Sequence, residues 1–467
     1  MIANLQPYAK YRESEQAWLG RVPAHWDMRP AFGAYAPNRE KNTGMKEKTV
    51  LSLSYGRIVI KPLEKLHGLV PESFETYQIV NPGHIVIRTT DLQNDHSSLR
   101  VAMVRNRGII TSAYLALHAK DGVNPDYGYQ FLNVWDLTKA IYGYGSGLRQ
   151  GLDFTHFKRM PVVVPPPDEQ AAMVRFLNDA NGRLERTIRA KRKVILLLNE
   201  QKQAIVHRAV TRGLDPATPL RPSGIPWLGG IPKHWEVRRA KQLCSAIIDC
   251  KNRTPEQIPS GEFIVVRTTN IRNGRFNLKG SYTTDRRNFE IWTQRGAPRV
   301  GDVFFTREAP AGEACLVPPL QNLCMGQRMM YFRPNPAVLD PSFLMYSICG
   351  PVGRRYVDVA CNGSTVGHLR LGQVTAFPLL WCPVTEQKLI VSHIESESAP
   401  LHTAINRIAR EIDLLREYRT RLVADVVTGK LDVRTAALHL PADSSLNEVP
   451  QPPDEVEDPE ADEALEE

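Results

Sequence analysis

The side chains in this sequence whose types and spacing suit chemistry are those of molecular recognition. Arg267-Thr268-Thr269-Asn270-Ile271-Arg272-Asn273-Gly274-Arg275 mixes guanidinium, hydroxyl and amide groups directly after a strand-like run. Arginine pairs bidentately with guanine, asparagine or glutamine with adenine, and hydroxyls serve phosphates. Groups of the same kind recur at Arg307, Gln327, Arg328, Ser364, His368 and Arg370, and earlier at Arg88, Thr89, Thr90 and Lys158. Between them the glycine-rich segment Gly143–Gln150 offers an aromatic at Tyr144 and polar or basic groups at Ser146, Arg149 and Gln150. All are candidate contacts to DNA bases and phosphates.

Catalytic signatures are missing. No G-x-x-x-x-G-K-[ST] loop is present, so nucleotide hydrolysis has no support. No glycine-rich loop follows a strand as a methyl-donor site requires, and the 12 histidines show no metal spacing. Neither a nucleophile elbow nor a carboxylate pair stands out. No catalytic, cofactor-binding or metal residue is therefore expected in this chain. Asn124-Pro125-Asp126-Tyr127 resembles the Asn-Pro-Pro-Tyr/Phe motif of amino-methyltransferases, yet it returns as Asp340-Pro341-Ser342-Phe343. That recurrence predicts a helix start instead, with Asn or Asp as N-cap, Pro in the first turn and the aromatic packed inward. All 7 cysteines lie in the second half, none at zinc-site spacing, and are expected to be buried reduced thiols.

What positions these residues is a duplication. Trp18-Leu19-Gly20-Arg21-Val22-Pro23-Ala24-His25-Trp26 returns as Trp227-Leu228-Gly229-Gly230-Ile231-Pro232-Lys233-His234-Trp235. A second correspondence matches Pro161 to Pro378, Pro166 to Pro383, Glu169-Gln170 to Glu386-Gln387, and Leu214-Asp215 to Leu431-Asp432. Between these anchors the halves diverge. The reading is one scaffold carrying two specificities, with fixed ends and a free middle. His25 and His234 are expected to be structural. The middles show short β-type runs at Thr49–Leu53, His84–Arg88, Phe263–Arg267 and Asp302–Thr306, which suits mixed α/β domains.

Each Pro-rich stretch leads into a long helical pattern. Apolar 3-4 spacing runs through Val174, Leu177, Asn181, Leu184, Ile188, Lys191, Ile195, Leu198, Lys202 and Ile205. The second copy repeats it with Val391, Ile394, Ser398, Leu401, Ile405, Ile408, Ile412, Leu415, Arg419 and Leu422. Each stripe needs a partner, so the two helices are expected to pack on each other antiparallel, with Gly213 and Gly429 as stops. The polar members of the stripe would fix register. Gln170–Val206 would span about 55 Å, the length of a spacer.

The formal charge of +9 hides an asymmetry. Residues 441–467 hold eleven Asp or Glu and no Lys or Arg, leaving a net of +20 on residues 1–440. So basic a body attracts polyanions, while the acidic end has the composition of a solvated, disordered tail. With 42% hydrophobic residues, a mean hydropathy of −0.31 and no long apolar run, a soluble cytoplasmic protein without membrane contact is expected.

The W-L-G-x-[VI]-P-x-H-W opening, Gly301-Asp302-Val303-Phe304-Phe305-Thr306-Arg307, the P-x-x-x-x-P-x-x-E-Q step and the helix ending in Leu-Asp together resemble specificity subunits of type I restriction-modification systems. The resemblance covers about residues 12–435; the acidic end lies outside it. The first copy departs with Pro82-Gly83-His84-Ile85 against Val300-Gly301-Asp302-Val303. The resemblance implies an α+β chain with a pseudo-two-fold internal repeat. Residues 1–167 and 215–384 would be target-recognition domains, each reading half of a bipartite site in double-stranded DNA. Residues 168–214 and 385–435 would be spacer helices in an antiparallel coiled coil, and 436–467 the acidic tail. It further implies docking of two methyltransferase (modification) subunits and of restriction/translocase subunits in a bacterial or archaeal cytoplasm. S-adenosylmethionine, ATP and Mg²⁺ would belong to those partners. Two rival readings remain: an adenine methyltransferase or nuclease with unrecognised motifs, and a coiled-coil adaptor that does not touch DNA.

Overall fold

The computed structural model describes residues 5–62, 73–90, 92, 98–144, 152–251, 253–361 and 367–440. The chain divides into two compact units, Met1–Lys191 with Arg410–Glu467, and Arg192–Ala409. Both divisions fall inside long helices, Pro167–Arg212 and Val384–Val427, so each helix contributes to both units. No helix among the described residues is long and apolar enough to cross a membrane.

The first unit is built on a four-stranded antiparallel sheet in the order Tyr35–Pro37, Leu115–Ala119, Ile85–Ile87, Val101–Met103. The second carries the same arrangement, Cys244–Asp249, Met329–Pro334, Val303–Thr306, Ala314–Leu316. The repeat therefore continues through the middles that the sequence leaves unmatched. Sheet strands need only apolar residues on the buried face, so their identities drift while the topology persists. After the sheet, each unit has a helix capped as the repeated tetrapeptides predict. Asn124 Oδ1 accepts from the Asp126 and Tyr127 backbone N–H groups, at 2.9 and 3.2 Å. Asp340 Oδ1 accepts from Ser342 and Phe343 at 2.9 and 3.0 Å. The aromatics Tyr127 and Phe343 are buried.

The two ends that recur in each copy meet in space, which explains why they recur as a pair. Asp27–Pro30 pairs antiparallel with Pro161–Val164, and Glu236–Arg239 pairs with Pro378–Trp381. Glu169, at the start of the first long helix, then accepts from His25 Nε2 (2.7 Å), Trp26 Nε1 (2.9 Å) and the Tyr8 hydroxyl (3.2 Å). Glu386 does the same for His234 Nε2 and Trp235 Nε1, both at 2.9 Å. The neighbouring glutamines close the frame. Gln170 accepts from Asn124 N and donates to the carbonyls of Gly122 and Pro165. Gln387 accepts from Asp340 N and donates to those of Val338 and Cys382. In the second unit a side-chain carbon at Gly213 would meet the Trp235 ring at 3.5 Å. In the first, a side chain at Gly429 would fall 2.3 Å from Pro23 and 2.7 Å from Trp26, and its φ of +77° also favours glycine.

Every residue of the two predicted apolar stripes is buried or half-buried. Within the first unit the helices run antiparallel, since Glu185 pairs with Arg419 (3.0 Å) and Lys191 with Glu411 (2.6 Å). Two of the polar interruptions are thus answered by a charge across the seam. In the second unit Val206, Ala209 and Val210 share a core with Ile390 and Ile394. Asn181 and Ser398, equivalent in the repeat, place a buried oxygen in the seam without a hydrogen-bond partner.

One position of the shared sheet has been rewritten. In the second unit Arg333 holds the buried Asp302 bidentately, at 2.9 and 2.7 Å. Val303 pairs with Phe332 as Ile85 pairs with Leu117, so His84 and His118 replace that ion pair in the first unit. Their rings lie 5.9 Å apart, and the buried His84 Nδ1 has no partner. Burial and His118 hold the His84 pKa below the ordinary histidine value, opposed by Glu40.

Two outcomes follow. Glu169→Ala strands the buried Trp26 and Tyr8 donors and should lower stability by about 2–4 kcal/mol in urea unfolding. Glu386→Ala should cost less, because the Glu386 side chain is 28% exposed against 4% for Glu169. The depressed His84 pKa favours the neutral ring in the fold. Its contribution is present above about pH 6.5 and is lost as pH falls, because the unfolded chain takes up the proton first. The urea midpoint of the first unit's transition should fall between pH 7.5 and 5.5, and the His84→Asp, His118→Arg double variant should remove that dependence.

Candidate nucleic-acid interface

Backbone hydrogen bonds gather the second unit's candidates at one end of its sheets. Arg307 N donates to Arg328 O, Leu369 N to Arg307 O, Cys250 N to Met329 O and Gly326 N to Val266 O. Here Arg328 and His368 both approach Glu308 Oε2, at 3.7 and 3.2 Å. Gln327 accepts from Thr254 at 3.5 Å, and the exposed Arg267 neighbours Gly326. Arg307 is turned inward: its side chain is 12% exposed, and Nη1 bonds Asp249 at 2.7 Å. It is placed to hold the loops rather than to reach outward.

The segment Arg267–Arg275 does not act as one surface. Asn270 is fully buried, accepting from Arg267 N (2.7 Å) and donating to the carbonyls of Asn277 (2.8 Å) and Lys279 (3.0 Å). It fixes the turn Thr268–Asn270, leaving Thr268 half-buried and Thr269 exposed. Arg272, Asn273 and Arg275 are exposed, but Asn273 N donates to Glu313 and the Arg275 guanidinium reaches His402 of the second long helix. Arg370 is exposed before the short helix Leu371–Thr375.

In the first unit Thr90 is exposed, while Thr89 is buried with its hydroxyl donating to Ala113 O at 3.0 Å. Arg88 and Lys158 are half-buried. Tyr144 ends a short helical turn, Ala140–Tyr144, and its side chain lies outside the described residues, as do Ser146, Arg149, Gln150 and Ser364. The organiser here is Arg100, which sequence reasoning missed. Fully buried, it donates to Thr90 O (2.7 Å) and the Tyr142 hydroxyl (3.2 Å). Nothing in its local sequence distinguishes it from a surface arginine.

The insertions between the first two strands of each shared sheet were also missed as units. Residues 251–299 hold ten Lys or Arg against four acids, whereas 38–84 hold seven against five, with the excess confined to 39–61. In the first, Lys251 stacks on Trp292, whose indole N–H donates to Arg253 O at 2.9 Å. In the second, the hairpin Leu51–Ser54 with Arg57–Ile60 carries exposed Arg57. The signal was available as a local charge excess falling where the repeats diverge most. Burial pushes the Cys244 and Cys324 thiols up to about 12, which keeps them protonated. No group of three or more metal-ligating side chains occurs among the described residues.

Asn270→Ala should lower stability by about 1–3 kcal/mol in urea unfolding, because two carbonyls and an N–H lose their partner. Thr269→Ala, one residue away and exposed, should stay within about 0.5 kcal/mol of the parent.

No protein-family model and no curated protein matches the sequence. Solved structures match in fold. A chain from a type I restriction-modification system, solved for its complex assembly and conformational transition, shares 13% identity at a TM-score of 0.57, covering 87% of this chain and 98% of that one. The HsdS subunit from Thermoanaerobacter tengcongensis shares 13% identity at a TM-score of 0.41, covering 90% and 100%. The type I restriction-modification S subunit from M. genitalium shares 12% at 0.34, covering 90% and 98%. With its tandem α/β domains and long helices, the chain has the fold of a type I restriction-modification system component.

Proposed function

We propose that the chain is a DNA-recognition subunit that reads a bipartite site, one half with each unit. The observation that carries this reading is the duplication itself: one frame built twice, with mutually unlike insertions at the same place in each sheet, the second of them strongly basic. A protein that needed a single activity would gain nothing from two unlike readers on a common frame. The two long helices would hold the readers a fixed gap apart and dock two methyltransferase subunits, with restriction/translocase subunits joining them. The chain would perform no catalysis of its own. Methyl transfer, and with it S-adenosylmethionine, ATP and Mg²⁺, would belong to the partners, in the cytoplasm.

The test is methylation mapping in a cell carrying the chain with its partners. Exchanging residues 250–302 for the corresponding insertion of another such subunit should change one half-site and leave the other half and the gap unaltered. A change in both halves would overturn the modular reading. Binding should also weaken steeply with salt, the slope of log affinity against log salt steepening by about one unit for each phosphate contact. Methylation or cleavage by the purified chain alone would contradict the assignment of catalysis to the partners.

A further inference from the structure

We propose that the acidic segment 441–467 docks on the basic hairpin surface of the first unit, and that DNA must displace it to bind there. The inference rests on the reading of that unit as a DNA reader. Six side chains define the surface: Arg39, Lys41, Lys46, Lys48, Arg57 and Lys61 are all exposed, and none has an ion-pair partner among the described residues. The only acids in that stretch are Glu40 and Glu47, and Glu47 is engaged by the backbone N–H groups of Lys48 and Thr49 and by Arg107. The segments that carry these six cations are joined strand to strand, Glu40 to Ile79, Ile79 to Ile109, Ile109 to Val50 and Val50 to Lys61, with the Glu75 carboxylate alongside on Gly44 N.

The occupant is set by tethering and by charge. Leu440, 7% exposed, belongs to the first unit's core, and its carbonyl accepts from the Arg175 guanidinium on the first long helix. Segment 441–467 thus departs from the first unit. At about 3.3–3.6 Å per residue it reaches up to about 90 Å, whereas a domain of this size has a radius of gyration of about 18 Å. Every face of the unit is within range. Residues 454–467 hold nine carboxylates, which when extended gives one charge per about 5 Å, the same order as the one per about 3.4 Å along a DNA strand. Carboxylate chain and phosphate chain are then rivals for the same cations. A tethered rival acts at about millimolar effective concentration. If the free segment bound at about 0.1 mM, the tether would suppress DNA binding about tenfold. The tether weakens every duplex that uses this surface by the same factor, so sequence-independent binding falls out of the working concentration range before a tight specific site does.

The test compares the full chain with a chain ending at Leu440, binding a random-sequence duplex followed by fluorescence anisotropy. Removal of the segment should tighten binding about tenfold at low salt and little at high salt. Replacing the eleven acids by Asn and Gln should do the same. General charge repulsion would also produce that much, so the deciding variant changes Arg39, Lys41, Lys46, Lys48, Arg57 and Lys61 to Gln. In that background, removing the segment should have no further effect; an undiminished effect overturns the proposal. Zero-length carbodiimide cross-linking of the full chain gives a readout independent of DNA, with links expected from 441–467 to Lys41, Lys46, Lys48 or Lys61. Their absence also overturns it. Links without any DNA binding would instead sink the DNA reading and leave the docking intact.

Discussion

Each half of this protein hangs on one carboxylate placed where a long helix begins. Glu169 sits in the first turn of its helix, where the unpaired backbone N–H groups favour negative charge. There it collects an indole N–H, an imidazole and a phenol from the opposite end of the repeat. A buried carboxylate must be hydrogen-bonded to be tolerated, and its donors all lie more than 140 residues away in sequence. One charge thus forces the opening of the repeat, the strand before the helix and the helix itself into a single arrangement. Glu386 repeats the solution in a more open setting. Everything variable is then hung from sheet strands that this frame holds in place.

The parts that were legible in the sequence are those in which a residue type is demanded by geometry. The His-Trp and Glu-Gln anchors, the Asn124 and Asp340 caps and the helical stripes all recur because few side chains could replace them. The shared four-stranded sheet was not legible, since burial asks only for apolar bulk and the two copies share almost no residues there. The candidate contacts were legible as a class and poorly as individuals. Asn270 and Thr89 have the chemistry of base or phosphate contacts but are consumed by their own loops. Arg100 looked like surface and proved to be an internal brace. A side chain's polarity is written in the sequence, but its direction is set by contacts that are remote along the chain.

The substitution of His84 and His118 for Asp302 and Arg333 shows how far the copies have moved apart inside a common frame. The ion pair in the second unit balances two opposite charges at the ends of the two inner strands of its sheet. In the first unit burial favours the uncharged form of the His84 ring instead, a preference that depends on the pH of the solvent. The same backbone position can therefore be stabilised in two chemically unrelated ways. This tolerance is what allows the halves to diverge without losing their topology.

The first unit also closes across a gap that the second spans covalently. In the second unit the chain runs on from Gly213 to the strand Leu220–Pro222, where Arg221 caps the Trp235 carbonyl. In the first, Asp432 bridges to Gln6, Tyr11 donates to Gly429 O, and Arg12 caps the Trp26 carbonyl. A handful of hydrogen bonds does there what a peptide linker does in the other copy.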